Sequence, residues 1–280
     1  MIPITSLQNE SVKRCVTLRE ARRRLAQRRF LIDGVRELRR AIESNVRIVE
    51  VFVCPSLCKN PESIAFLDVW LPRLEAERKI RQELRLYEVT EPVFAKLAFG
   101  DRTEGFVAVA ETPDTSLAML TRRLCIAAQT TGIGDANRPE TVPKRTEVHD
   151  GERSKPDKLG QSAQPLLLGI AENVEKPGNL GAVLRSADGA GVTGVIACDS
   201  RRTEADLFHS ATIRASLGTI FHLPVTTALT SEAISWLRDT AHVRIFAARV
   251  EGAIPYSQVD FTGPSAIVVG SESNGLSSAW

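Results

Sequence analysis

Apolar and polar positions along the chain fall into strand-length and helix-length blocks. Residues 48–54 (IVEVFVC) alternate and are rich in β-branched side chains, the pattern of a half-buried strand. Residues 106–110 (FVAVA), led in by Gly105, repeat it. Residues 11–27 are helical in character, with Arg19, Arg22 and Arg23 at i, i+3 and i+4, so one face of that helix is cationic. Residues 30–32 form a short apolar run closed by Asp33 and Gly34, and a second helix follows over 35–44. This alternation predicts a compact α/β unit over residues 1–112.

Beyond Pro165 the alternation is more regular: LLLGI, GAVLRSADGA, VIAC, residues 207–217, IFHLPV, SEAISWLRDT, VRIFAAR and AIVVG. Continuously apolar strands separated by helices predict a parallel sheet covered on both faces, residues 165–280. Ligands of such sheets sit outside the carboxyl ends of the strands. Between the two units, residues 128–164 carry twelve charged residues, six of each sign, and almost no large apolar ones. That composition cannot offset the entropy of ordering, so a disordered insertion is expected within a linker over residues 113–164.

Composition then narrows the class. The 280 residues are 43% hydrophobic and 25% charged, enough for a sizeable core. No apolar run reaches transmembrane length, and the first residues lack the apolar stretch of a signal peptide. The five cysteines are odd in number and scattered, and no histidine adjoins the one close pair, Cys54 and Cys58. Neither a disulfide framework nor a metal site is expected, and the protein is taken as cytoplasmic. Net charge is only +2, yet eleven basic residues against three acidic ones fall between Lys13 and Arg40. Such a patch attracts polyanions, or serves only as a solvated helix face. Arg22, Arg23, Arg24, Arg28 and Arg29 are its candidate RNA contacts.

Two loops carry candidate chemistry. In the first, Pro177-Gly178-Asn179 is strong turn chemistry, and Asn179 as an N-cap would begin the helix that holds Arg185. Val183, Leu184, Ala187 and Ala190 would supply its buried side. Six residues place Arg185 about 9 Å further along the axis, and a long side chain leaning toward the helix start can fold back to the loop. The structural alternative makes Asn179 a cap and Arg185 a surface ion-pair partner. The second loop, Gly270-Ser271-Glu272-Ser273-Asn274-Gly275-Leu276, follows the apolar strand AIVV. Its glycines permit close backbone approach to a ligand, and its carboxylate could orient an arginine or accept from a ribose. The alternative is an ordinary strand-to-helix turn. His149, His209, His222 and His242 are scattered and read as structural, and Trp236 and Phe246 as core.

These loops resemble motifs 1 and 2 of the SpoU (TrmH-like) branch of the SPOUT RNA methyltransferases. The resemblance implies a SPOUT-type fold, S-adenosylmethionine as cofactor, no metal, and methylation of a ribose 2′-hydroxyl, with rRNA favoured over tRNA. It implies catalytic roles for Asn179, Arg185 and Glu272, and donor contacts from Gly270, Ser271, Gly275 and Leu276. Deprotonating an arginine near neutral pH costs about 7 kcal/mol. Arg185 is therefore expected to stabilise a developing alkoxide, held in place by Asn179 and Glu272. Residues 1–110 (ITSLQN, the basic helix, FLIDGVREL, RTEGFVAV) are similar to the ribosomal-protein-like RNA-binding domain attached to many SpoU enzymes. The family pattern continues past motif 2 into a Ser/Asn motif and a helix that completes a knot and much of a homodimer interface. A chain ending at Trp280 is expected to be a fragment or truncated form with the knot incomplete. Two other readings stand beside the enzyme. One is a non-catalytic RNA-binding protein. The other is a nucleotide-dependent oxidoreductase, disfavoured because no G-x-G-x-x-G opens the helix after LLLGI.

Overall fold

The computed structural model describes residues 1–100, 104–130, 166–199 and 206–280. From residue 131 onward the expected disordered insertion, His149 included, lies outside the described residues. The first unit comprises β1 (Ile2–Ile4), α1 (Glu10–Thr17), α2 (Ala21–Gln27), β2 (Arg29–Asp33), α3 (Val35–Glu43), β3 (Ile48–Val53), α4 (Pro61–Ala65), α5 (Leu71–Ile80), β4 (Arg85–Val89), α6 (Glu91–Leu97) and β5 (Phe106–Glu111). Its sheet has the order β1-β4-β3-β5-β2. β5 runs antiparallel to both β3 and β2, with Val51 opposite Ala108 and Leu31 opposite Val109. Both faces are covered. Leu31, Phe52 and Tyr87 pack with Val12 and Phe94 on one side, while Phe30, Ile32, Val51 and Phe106 pack with Leu38 and Phe66 on the other.

The single helix expected over residues 11–27 is broken. α1 stops at Thr17 and α2 starts at Ala21. Arg19 therefore does not share a helical face with Arg22 and Arg23. It bonds the carbonyls of Lys96 at 2.8 Å and Ala98 at 2.7 Å, satisfying the end of α6. Arg24 fills the break from inside, donating to the carbonyls of Leu18 at 2.7 Å and Arg19 at 2.6 Å. Free carbonyls at a helix end outbid a regular helical stripe.

The second unit comprises β6 (Leu167–Glu172), α8 (Pro177–Gly189), β7 (Gly194–Asp199), α9 (Ser210–Ala215), β8 (Val225–Leu229), α10 (Thr230–Ser235), β9 (Arg244–Ala247) and β10 (Ser265–Val269), preceded by α7 (Leu117–Thr130). The sheet order is β8-β7-β6-β10-β9, and every pairing is parallel. Central β6 alternates large and small residues. Leu168 and Ile170 join Leu120, Trp236 and Leu237 on one face, and Ala171 lies under Leu180 and Leu184 on the other. The strand expected at IFHLPV begins only at Val225, because residues 219–221 form a 3₁₀ turn after Gly218 (φ +80°) and Pro224 offers no amide to a ladder. α7 occupies the first part of the expected linker and packs on this sheet. Leu120 is fully buried, and Thr121 accepts from the Trp236 indole at 2.9 Å. Trp236 is accordingly core, whereas Phe246 is half-buried and meets Phe261 edge-on at 4.8 Å.

One apolar cluster runs from Phe30 and Leu38 through Phe221 and Ile213 to Leu180 and Leu184, so the two units share a core. Phe30 stacks on Phe208 at 4.5 Å. Arg214 donates to the Phe99 carbonyl at 2.5 Å. No described helix is long and apolar enough to cross a membrane.

Candidate methyl-transfer site

α8 opens with Pro177 at its first position, where a missing amide costs nothing. Its cap residue is Lys176, so Asn179 is the third helical residue rather than the cap. That frees the Asn179 amide, and it donates to Glu272 of the second loop. Leu180, Gly181 and Leu184 take the buried face, Val183 and Ala187 are half-buried, and Ala190 is exposed instead of packed. Gly181 sets the approach of α9, because a Cβ there would lie 2.5 Å from the Thr212 carbonyl oxygen and 2.6 Å from the Ala215 Cβ.

The second loop folds back on itself. Ser271 and Gly275 exchange backbone hydrogen bonds of 3.0 Å in both directions, and the Ser271 hydroxyl accepts from the Asn274 amide at 3.0 Å. Gly275 holds φ at +64°, a left-handed value suited to glycine. A Cβ on Gly270 would fall 2.2 Å from the Gly275 carbonyl carbon, so only glycine fits there. Leu276 is half-buried against the core under β6 and β10.

Three carboxylates tie the first loop to the second. The Asn179 amide bond holds the exposed Glu272 carboxyl below the usual carboxylate range. Ser273 donates to Glu175. Glu172, at the carboxyl end of β6 and 0% exposed, accepts from the Ser277 amide at 2.8 Å, the Ser277 hydroxyl at 2.8 Å and the Thr230 hydroxyl at 2.9 Å. Burial pushes its carboxyl up, but these donors outweigh that and leave it lowered. Glu172, Glu175, Thr230, Ser273 and Ser277 were not legible as site residues in the sequence. The signal that could have found Glu172 is an acidic residue ending an apolar strand, where a ligand crevice is expected.

Arg185 stands apart from this clasp. It is exposed and, among the described residues, makes no hydrogen bond or ion pair. The expectation that Asn179 and Glu272 grip its guanidinium is therefore corrected: those two bond each other, and six helical positions turn Arg185 roughly 120° away around α8. Of the candidate RNA contacts, Arg22, Arg23 and Arg28 are exposed and Arg29 is half-buried. Arg24 is only 6% exposed, and its guanidinium is taken up by Asp206, at 3.1 Å through Nε, and by the two carbonyls in the helix break. Its expected place on the RNA surface gives way to a structural one. His209 caps α9, accepting from the Ala211 amide at 3.1 Å, and His222 meets Asp188 at 2.8 Å.

A wholly parallel sheet in which the neighbouring strands β6 and β10 end in mutually bonded loops, joined to a second α/β unit, defines a two-unit α/β protein. Residues 167–280 match the model of the SpoU rRNA Methylase family, and residues 9–108 match that of the MRM3-like substrate binding domain. A 23S rRNA (guanosine(2553)-2′-O)-methyltransferase of Bacillus subtilis is 30% identical over 123 residues, covering 44% of this chain and 47% of that protein. A 23S rRNA (guanosine-2′-O-)-methyltransferase of Coxiella burnetii is 38% identical over 119 residues, 42% of this chain and 46% of its own. The chain thus spans about half the length of these curated relatives. Among solved structures, an RNA 2′-O ribose methyltransferase superposes over 100% of this chain and 85% of its own, with TM-score 0.68 and 29% identity. The Streptomyces viridochromogenes methyltransferase AviRb, solved with AdoMet, shares the fold at TM-score 0.69 and 20% identity, over 98% of this chain and 85% of its own.

Proposed function

We propose that this chain is an S-adenosylmethionine-dependent RNA methyltransferase that acts on a ribose 2′-hydroxyl of ribosomal RNA. The observation that carries the reading is the bond between Asn179 and Glu272, which joins the two family motifs outside the carboxyl ends of β6 and β10. The doubled-back loop from Gly270 to Leu276 would hold the cofactor through its backbone: Gly270 packs so closely on Gly275 that only glycine fits, and Leu276 offers an apolar edge. S-Adenosylmethionine, when bound, supplies the electrophilic methyl group. Asn179 and Glu272 fix the loop edge, and the Arg185 guanidinium, without a partner among the described residues, supplies positive charge to the ribose oxygen as its proton leaves to water. Exposed Arg22, Arg23 and Arg28, with Arg29, support phosphate contact by the first unit. A homodimer is the assembly in keeping with this reading. Free thiols at Cys15, Cys54, Cys58 and Cys198 accord with a reducing cytoplasm.

The test is transfer of a labelled methyl group to 23S rRNA fragments, read as 2′-O-methylnucleosides, alongside donor binding by calorimetry. Arg185→Lys, which keeps charge but loses the planar fork, is expected to lower kcat by about 10²–10³-fold with donor affinity retained. Near-parent turnover in that variant would overturn the role of Arg185. RNA binding without donor binding would return the chain to a non-catalytic RNA-binding protein.

A further inference from the structure

Of the three carboxylate links between the loops, two are exposed and one is buried. The exposed pair, Asn179 with Glu272 and Ser273 with Glu175, lies in water, where such bonds exchange readily. The buried one is different in kind. Glu172 sits at the last position of the central strand β6, and its two oxygens face three donors from two other parts of the chain. Thr230 opens α10, just past the end of edge strand β8. Ser277 immediately follows the second loop and gives both its amide and its hydroxyl. Glu172 therefore ties the end of that loop to β6, while Asn179 bonds Glu272 within it.

We infer that Glu172 is a positioning residue for the methyl-donor loop. By accepting from Ser277 twice, its carboxylate sets the height at which residues 270–277 cross the carboxyl ends of β6 and β10. This assignment rests on the donor-binding role proposed above for that loop. The chemistry requires a carboxylate. A glutamine at this position has one acceptor oxygen and a donor NH₂, so a like-for-like shape would turn a donor toward the Ser277 amide or hydroxyl and strand a buried polar group. An aspartate is one methylene short of the same reach.

Hydrogen–deuterium exchange of the free protein reads the loop without any cofactor. In Glu172→Gln and in Ser277→Ala, exchange across residues 270–277 is expected to rise about tenfold while the β7 amides stay protected. Steady-state kinetics on the same proteins are expected to show KM for S-adenosylmethionine raised about tenfold and kcat changed far less. The double variant should be no worse than the weaker single one, as for two ends of one interaction. If Glu172→Gln fails to fold, Ser277→Ala alone decides, because its side chain is half-buried and small. Unchanged exchange over 270–277, or a lower Tm with KM unaltered, overturns the inference. A folded parent chain that binds no S-adenosylmethionine refutes the donor role of the loop instead, while the exchange measurement still judges whether Glu172 orders it.

Discussion

Glu172 and Arg24 are charged side chains that the fold has turned inward, and each is kept there by groups far away in sequence. A buried carboxylate is tolerated only where donors replace its water. Glu172 has such donors in Ser277 and Thr230, and they lower its carboxyl from the ordinary 4.5. A group with a lowered folded value stabilises the fold above its unfolded value and loses that contribution as the pH falls through its folded one. The gap in urea-unfolding free energy between the parent chain and Glu172→Gln is therefore expected to be full at about pH 6 and to narrow below 4.5. A gap that is flat with pH would mean that Glu172 is not held ionised. Asn179 and Glu272 could be singled out from their turn residues and spacing. That they meet each other rather than Arg185 could not, because it depends on Lys176, not Asn179, being the helix cap.

The elements behind the site were mostly readable because their apolar patterns match their burial. β6, β7 and β10 are short apolar runs, and they form adjacent central strands. The break at residues 18–20 was hidden, since nothing in the helical spacing shows that Arg19 has carbonyls of α6 to satisfy. The close approach of α8 to α9 was equally hidden in Gly181. Gly181→Ala would drive a methyl group to 2.5 Å from the Thr212 carbonyl and is expected to cost about 1–3 kcal/mol, measurable by chemical denaturation. Gly270→Ala would place its Cβ 2.2 Å from Gly275 and should open the second loop, abolishing calorimetric S-adenosylmethionine binding while the far-UV spectrum persists. Retained binding in that variant would show that the loop tolerates a wider turn.

The two units do not behave as beads on a linker. Phe30 of the first unit stacks on Phe208 and lies near Phe221 of the second, at 4.5 and 6.0 Å, and Arg24 reaches Asp206 beside them. A single calorimetric unfolding transition is expected for the parent. Phe30→Ala, which empties the centre of the shared core, should cost about 3–5 kcal/mol and resolve two transitions. Two transitions in the parent would count against the shared core. Local pattern alone determined the α/β class, the parallel second sheet and the two loops at its carboxyl edge, because hydrophobic periodicity and turn chemistry act over a few residues. Only the tertiary structure decided that Arg24 faces inward, that Glu172 pins the second loop, and that the units share one core. Those outcomes rest on burial and on partners as far as 182 residues away, which no local pattern encodes.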